Sequence, residues 1–224
     1  MSYKKQLVFL VLGFFIFSAL FFRIYSDIKK KAVANLNDRQ MVYAQLAAAG
    51  IEEEFRNHLK TLQYLAKNKD VIHLTSNGRD LLNTLQAASP GEIRSVTRVD
   101  ARGKIAFTAP EVARVVGSDI SGQTHIQTIF QTKKPVLSDV FLAEQGFQAV
   151  ALHVPVFRDR IFDGTLGFLI SFDTIAKKYL DNIKIETFGY AWMISEKGVE
   201  IYCPIPGHVG NSVLDNCKDF PDIL

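Results

Sequence analysis

Residues 7–22 read LVFLVLGFFIFSALFF, without a single charge, and the first proline of the chain is Pro90. A helix needs about 17–25 mostly apolar residues to cross a bilayer core. Arg23 can snorkel at the edge, and Ile24 and Tyr25 continue the apolar run. A membrane span from Gln6 to Tyr25 is therefore expected, with 1–26 as cytoplasmic tip and span. The apolar run is long for the core of a signal peptide, and FSALFFR is a poor small-x-small cleavage site, so the segment reads as an uncleaved anchor. Charge does not fix its orientation: Lys4 and Lys5 precede it, while Arg23, Lys29, Lys30 and Lys31 follow, offset by Asp27.

From Asp27 to about Lys69 only Gly50 breaks a helical pattern. Ala32, Leu36, Val42, Leu46, Phe55, Leu59, Leu62 and Leu65 recur at mixed spacings of three and four, the apolar stripe of a long juxtamembrane helix over 27–70. Within it FRNHLKTLQYL has the rough outline of a histidine-kinase phosphoacceptor helix around His58. No glycine-rich nucleotide lid follows, and His58 is expected to face solvent. The helix is expected to stop before TSNGRD, with Asn77-Gly78 as a turn, and Asp80 to Ala88 to form a short second helix.

A sheet region follows. Alternation over Ile93 to Val99 predicts a strand, Asp100 to Gly103 a hairpin turn with Gly103 at positive φ, and KIAFT the return strand. Thr124 to Thr132 reads as a short helix and KKPVLSDVFL as a strand starting after Pro135. Phe147 to Phe157 reads as another strand, RDRIFDG as a long turn, and TLGFLISF as a hydrophobic central strand. Asp173 is placed to cap the helix after it. The sum is an α+β chain: a hairpin, a helical crossover and a three-strand meander, with the long helix over one face, which is the topology of a PAS-like module over 71–182.

RVDARGKIAFTAPEVARVVGS and MISEKGVEIYCPIPGHVGNS share a skeleton. Each has an apolar strand, an acidic residue, a glycine (Gly103 or Gly198), a return strand, and then Val-Gly-Ser or Val-Gly-Asn-Ser. Residues 183–224 thus read as the start of a second such module, cut short in this sequence. The other reading, that GYAWMISEKGVEIYC adds a hairpin to the first sheet, stays open.

VDARGKI, GSDISGQTHIQTIFQTKKPVLSDVF, HVPVF, GTLGFLISFDTI and GYAWMISEKGVEIYCPIPGHVGNSV together resemble the extracytoplasmic sensor region of double Cache (dCache) receptors, over roughly residues 7 to 220. The resemblance implies a membrane anchor, a long helix, a membrane-distal and a membrane-proximal PAS-like module, and a further span with a cytoplasmic output domain. It places residues after about 26 in the periplasm or exterior, and implies a receptor at the bacterial inner membrane. The output it implies is most often a histidine kinase of a two-component system, then a chemotaxis signalling domain or a diguanylate cyclase. Its implied partners are a small-molecule ligand of unidentified class, the membrane and a second copy of the chain in a homodimer. Amino-acid-binding members carry an Arg followed by Trp and Tyr in the helix after the first hairpin; here ISGQTHIQTIF has none of the three.

A pocket between sheet and short helices would be lined by His125, Gln127 and Phe130 from the helix, Ser138, Asp139 and Phe141 from the next strand, and His153 from the one after. Each also has an ordinary reading: hydrogen-bonded histidines at a sheet rim, packed aromatics, and a capping or turn role for Asp139. Tyr190 and Trp192 line a second pocket or pack a core. Cys203 and Cys217 can pair in an oxidising compartment, a loop worth about 3 kcal/mol. A metal reading of His208 between them is set aside, and no metal is assigned. Charged residues are 22% and nearly balanced at a net +3, which gives no nucleic-acid footprint. There is no GxSxG, HExxH or phosphate loop, so no catalytic residue and no cofactor is expected in this segment, although a full-length kinase would be an enzyme. The runner-up function is a membrane-anchored partner-binding or structural domain without a small ligand.

Overall fold

The computed structural model describes residues 3–181, 183 and 189–216. The chain divides into two compact units, Met1–Ala48 and Ala49–Leu224. The first consists of one helix, and its Phe9, Leu10, Phe14, Phe15, Phe17, Phe21 and Phe22 are exposed, a surface suited to lipid rather than water. Among the described residues one helix is long and apolar enough to cross a membrane, and its apolar window has a mean hydropathy of 2.0.

That helix, α1, runs as Tyr3–Leu65. Gly50 does not break it. A Cβ there would stand 2.3 Å from Cε1 of Tyr179, so the glycine admits a ring rather than a bend. In the second unit, Ile51, Leu62 and Leu65 of α1 are buried. The connection after α1 differs from expectation. Asn68 caps a short α2 (Lys69–His73), Leu74 takes a left-handed φ of 50°, and Thr75 caps α3 (Ser76–Ala88). Asn77-Gly78 therefore lies inside the first turn of α3. Gly78 is required because a Cβ would come within 2.1 Å of the Asp70 carbonyl oxygen, a helix-to-helix approach that imitates a turn signal in sequence.

The main sheet contains β1 (Ile93–Val99), β2 (Ile105–Ala109), β3 (Val136–Leu137), β4 (Phe141–Leu142), β5 (Gln148–Arg158) and β6 (Ile161–Ile170). Its order is β2-β1-β6-β5-β3, with β4 also on β5. α4 (Thr124–Thr132) is the crossover, with the bounds the sequence predicts. The strand expected after Pro135 is split into β3 and β4, because Ser138 Oγ takes the Ala151 N–H at 2.8 Å in place of a backbone carbonyl. RDRIFDG is not a long turn: β5 and β6 run to Arg158 and from Ile161, joined by Asp159 and Arg160 at φ 51° and 68°. Two successive positive φ values match the right-handed twist of a two-residue hairpin.

One face of this sheet carries Val96, Phe168, Leu166, Ile170, Val150, Leu152 and Val154, all buried. The Phe55 ring of α1 stacks on Phe172 at 5.9 Å, and His58 meets Phe168 edge-on at 5.8 Å. His58 is thus half-buried rather than solvent-facing, with Nε2 enclosed and without a hydrogen bond. Burial pushes its pKa down, against the pull of Glu54. α5 (Phe172–Leu180) follows β6; Asp173 does not cap it but sits in its first turn, paired with Lys177 at 2.7 Å. Lys178 of α5 reaches Glu54 at 2.7 Å, and the Tyr179 hydroxyl donates to the same carboxylate at 3.0 Å.

β7 (Met193–Ile194) and β8 (Glu200–Tyr202) form a separate two-stranded sheet, followed by α6 (Val213–Asn216). Among the described residues they do not extend the first sheet. Instead they repeat its opening. Gly103 N–H donates to Asp100 O and Asp100 N–H to Lys104 O; Gly198 N–H donates to Ser195 O and Ser195 N–H to Val199 O. Ile105 exchanges backbone bonds with Gly117 and Ser118; Glu200 does the same with Gly210 and Asn211. The glycine skeleton seen in sequence is a hydrogen-bond skeleton in the structure.

Candidate ligand pocket

The second face of the main sheet is where polar residues go inside. On β6, Gly167 stands between Thr97 of β1 and His153 of β5. A Cβ at Gly167 would lie 2.5 Å from His153 Nε2, so this glycine makes room for the imidazole. His153 Nδ1 is 2.9 Å from Thr165 Oγ1. From α4, His125 lies over the same region, its ring 5.4 Å from His153 and 4.8 Å from Phe141.

These side chains border a cavity of about 10 Å³, completed by Gln123, Leu169 and the loop after β4. That volume admits roughly one water molecule. The loop closes it from outside: Ala143 N–H donates to Phe147 O, Gly146 N–H donates to Ala143 O, and Gly146 takes φ 89°. Arg114 holds the loop through the Gln145 carbonyl at 3.3 Å. Gln145 Nε2 is enclosed at the cavity without a hydrogen-bond partner, and so is Thr97 Oγ1, on a residue 2% exposed. An unmade bond of this kind costs about 1–3 kcal/mol per group, which a bound polar molecule could recover.

The buried part of the site is uncharged, and the one carboxylate in its lining, Glu144, lies on the exposed loop at its edge. Burial pushes His125 down to about 4 and His153 down to about 3, His125 itself adding to the latter. Both imidazoles are therefore neutral at pH 7 and present one donor and one acceptor each.

Of the residues singled out in the sequence, the structure brings His125, Phe141 and His153 together here. Gln127 is exposed on α4. Phe130 packs with the Val99–Ile105–Ile126 cluster and against Phe162 at 5.1 Å. Ser138 is used in strand pairing, its hydroxyl donating to Asp139 O at 2.7 Å. The Asp139 carboxylate pairs with Lys197 of the second hairpin. Sequence reasoning missed Thr97, Gln123 and Gln145; only the alternation of β1, which puts Thr97 on the face of Val99, carried a signal for any of them. Tyr190 is exposed and Trp192 half-buried. Cys203 is buried, and Cys217 lies outside the described residues.

Residues 57–170 match the family described as HK/GC/Chemotaxis protein-like, sensor domain, about half of the chain. The chain belongs to this family. As a member of this sensor family it is a dCache-like extracytoplasmic domain, and its apolar N-terminal helix is consistent with inner-membrane topology. Solved structures agree on the fold. An extracellular ligand binding receptor from Desulfohalobium retbaense superposes with TM-score 0.61 at 23% identity, over 79% of this chain and 34% of that one. The ligand-binding domain of the Pseudomonas aeruginosa amino acid chemoreceptor PctC, solved with GABA, gives 0.62 at 18% identity, over 78% and 79%. The sensor domain of the V. cholerae histidine kinase DctB gives 0.63 at 11% identity, over 80% and 70%. The chain thus spans about a third of the Desulfohalobium receptor and most of the other two domains. No curated protein matches the sequence.

Proposed function

We propose that this chain is the ligand-sensing region of a transmembrane receptor, and that the distal module of this sensor, 71–182, takes a small uncharged polar molecule into the Thr97–His125–Gln145–His153 pocket. The observation that carries this is the pair of enclosed, unpartnered polar atoms, Thr97 Oγ1 and Gln145 Nε2, facing one cavity beside two neutral histidines. PctC and the Pseudomonas fluorescens chemoreceptor CtaA were solved with GABA and with L-serine. The pocket here offers no arginine or lysine for a carboxylate, so a zwitterionic amino acid is a poorer fit than an amide, polyol or heterocycle. Phe141 supplies an apolar wall for such a ligand. Entry requires the 143–147 loop to swing out, since about 10 Å³ holds no organic molecule.

Binding would bias the receptor only by its differential affinity for the open and closed loop states. Tyr179, Lys178 and Glu54 join α5 to α1, which offers a route to the membrane and to an output domain such as a histidine kinase or chemotaxis module. A homodimer through the α1 stripe fits this reading. The nearly filled pocket supports a second reading, a partner-binding domain with no small ligand. Calorimetric titration of the chain with amides, polyols, purines, amino acids and organic acids separates them. One saturable class, lost in Thr97→Val and weakened in Gln145→Ala, is the expected result. Heat from carboxylates alone, or from no class with a folded sample, overturns it.

A further inference from the structure

The second hairpin holds a group of side chains that the ligand pocket does not use. Glu200 on β8 is 1% exposed, yet its Oε2 is enclosed without a hydrogen bond. His208 Nδ1 lies 3.3 Å from that oxygen and 3.7 Å from Cys203 Sγ. The three ligand-type atoms all fall within 4.8 Å of one another.

We propose that Glu200, Cys203 and His208 form a binding site for a zinc-class divalent transition-metal ion. A carboxylate, an imidazole and a thiol are a donor set for zinc and its neighbours, not for magnesium or calcium. With metal–sulfur bonds of about 2.3 Å and metal–nitrogen or metal–oxygen bonds of about 2.0–2.1 Å, tetrahedral ligands stand about 3.6 Å (S to N) and about 3.3 Å (N to O) apart. The two spacings from His208, 3.7 and 3.3 Å, need almost no adjustment, and Cys203 to Glu200 falls within 4.8 Å. His208 Nδ1 faces both neighbours, so one proton on it cannot serve both well; a cation between them would serve all three. The backbone holds this geometry in advance, since Glu200 bonds through N–H and C=O to Asn211 and Gly210, just beyond His208. His208 is half-buried, and a fourth ligand to the ion would come from water or another donor.

The repeat supplies an internal control. The matching hydrogen bonds align Glu200 with Ile105 and His208 with Val115. In the first copy those two are apolar neighbours in one core cluster. The second copy puts an acid and a base at the same two positions and a cysteine at that of Thr108. The chemistry is thus confined to the second copy while the scaffold is common to both. Bound metal would staple a small hairpin in the way structural zinc supports small domains.

The test is titration of the full chain in detergent, reduced and then freed of reductant under inert gas, with Co²⁺ followed by Zn²⁺. One Co²⁺ per chain with thiolate charge-transfer and tetrahedral ligand-field absorption, displaced by Zn²⁺, is expected. Cys203→Ser should abolish the charge-transfer band, and Glu200→Gln and His208→Ala should weaken binding by at least about tenfold. Cys217→Ser should keep the band. Near-UV circular dichroism of the near-isosteric Glu200→Gln variant guards against misfolding as the cause. Binding without a thiolate band, binding unchanged by Cys203→Ser, or no binding overturns the proposal. So does an intact Cys203–Cys217 disulfide in unreduced protein from an oxidising compartment.

Discussion

The two hairpins, 93–109 and 193–202, share a turn, a register and a return segment, yet they fill their interiors in opposite ways. In the first, Val99, Ile105, Val115, Ile120 and Ile126 make an apolar cluster. In the second, the positions of Ile105 and Val115 are Glu200 and His208. Backbone hydrogen bonding therefore sets the hairpin, and the side chains inside it are free to differ. The position of a polar group decides its consequence: a carboxylate enclosed in the second copy has a base and a thiol beside it, whereas the same group in the first would sit in the apolar cluster of Val99, Val115 and Ile126, at the edge of the cavity that Ile105 also lines.

The largest effect should come from erasing that difference in the unfavourable direction. Ile105→Glu would put an unpaired carboxylate among Val99, Val115 and Ile126, and should cost about 3–5 kcal/mol or unfold the second unit outright. Urea denaturation of the chain checks this. A loss below about 1 kcal/mol would show that the first hairpin tolerates a charge and that the contrast between the copies is not one of core chemistry.

The reverse exchange is milder. Glu200→Ile with His208→Val imports the first copy's pair into the second. Replacing a buried acid and its partner by apolar groups of similar volume is often neutral or stabilising by about 1–4 kcal/mol. The metal-free double variant should gain stability within that range in the same denaturation experiment. His208→Val alone should lose about 1–3 kcal/mol, because Glu200 then keeps its burial and loses its neighbour. Equal and additive losses from both single changes would mean the two side chains do not act together.

The same two copies show what the sequence could and could not reveal. Gly103 and Gly198 are legible because positive φ at a turn needs glycine, and both take it, at 84° and 74°. The apolar alternation of β1, β5 and β6 is legible for the same kind of reason, a local rule with a period of two. Glu200 is not, because nothing within VEIYC says that the return segment at Gly210 and Asn211 closes over it. Gln145 is equally hidden: AEQGF reads as a polar loop, and only the fold turns its amide inward. His58 looked exposed because its neighbour Phe168 is far away in sequence. Gly78 and Gly50 mislead in the other direction, since each makes room for a distant segment while appearing to interrupt its own.

A smaller, graded contrast separates the histidines. His125 and His153 are buried, and the acid that lines their cavity, Glu144, sits at its exposed edge, whereas His208 is half-buried beside Glu200. With folded pKa values of about 4 and about 3 against an ordinary 6.5, the unfolded chain binds protons that the folded chain refuses. Stability is then full above about pH 6.5 and falls as pH drops through the range between the unfolded and folded values, by up to about 1.4 kcal/mol per pH unit for each histidine. Thermal melts between pH 7 and 5 should show this slope, reduced in His125→Gln. A flat profile would mean that the pocket admits enough water to solvate the imidazolium.

The smallest expected effect is local to the second hairpin. Among the described residues, two polar contacts tie it to the first module's elements: Lys197 to Asp139, and the Tyr202 hydroxyl, which donates to Asp181 at the end of α5. The lysine is 71% exposed, and such a pair contributes about 0–1 kcal/mol. Tyr202 is 2% exposed, so its hydroxyl bond is the better anchor. Tyr202→Phe keeps the ring and removes the donor; Asp181 is exposed and regains water, so the loss should be only about 0.5–1.5 kcal/mol. Hydrogen exchange should then quicken at Met193 to Tyr202 and stay unchanged at Ile93 to Ala109, because the main sheet rests on β6 and not on this bond. Equal quickening in both hairpins would mean that the second copy is part of one cooperative unit with the first. No change in either would leave the apolar contacts of Tyr202 and Val213 as what holds β8 in place.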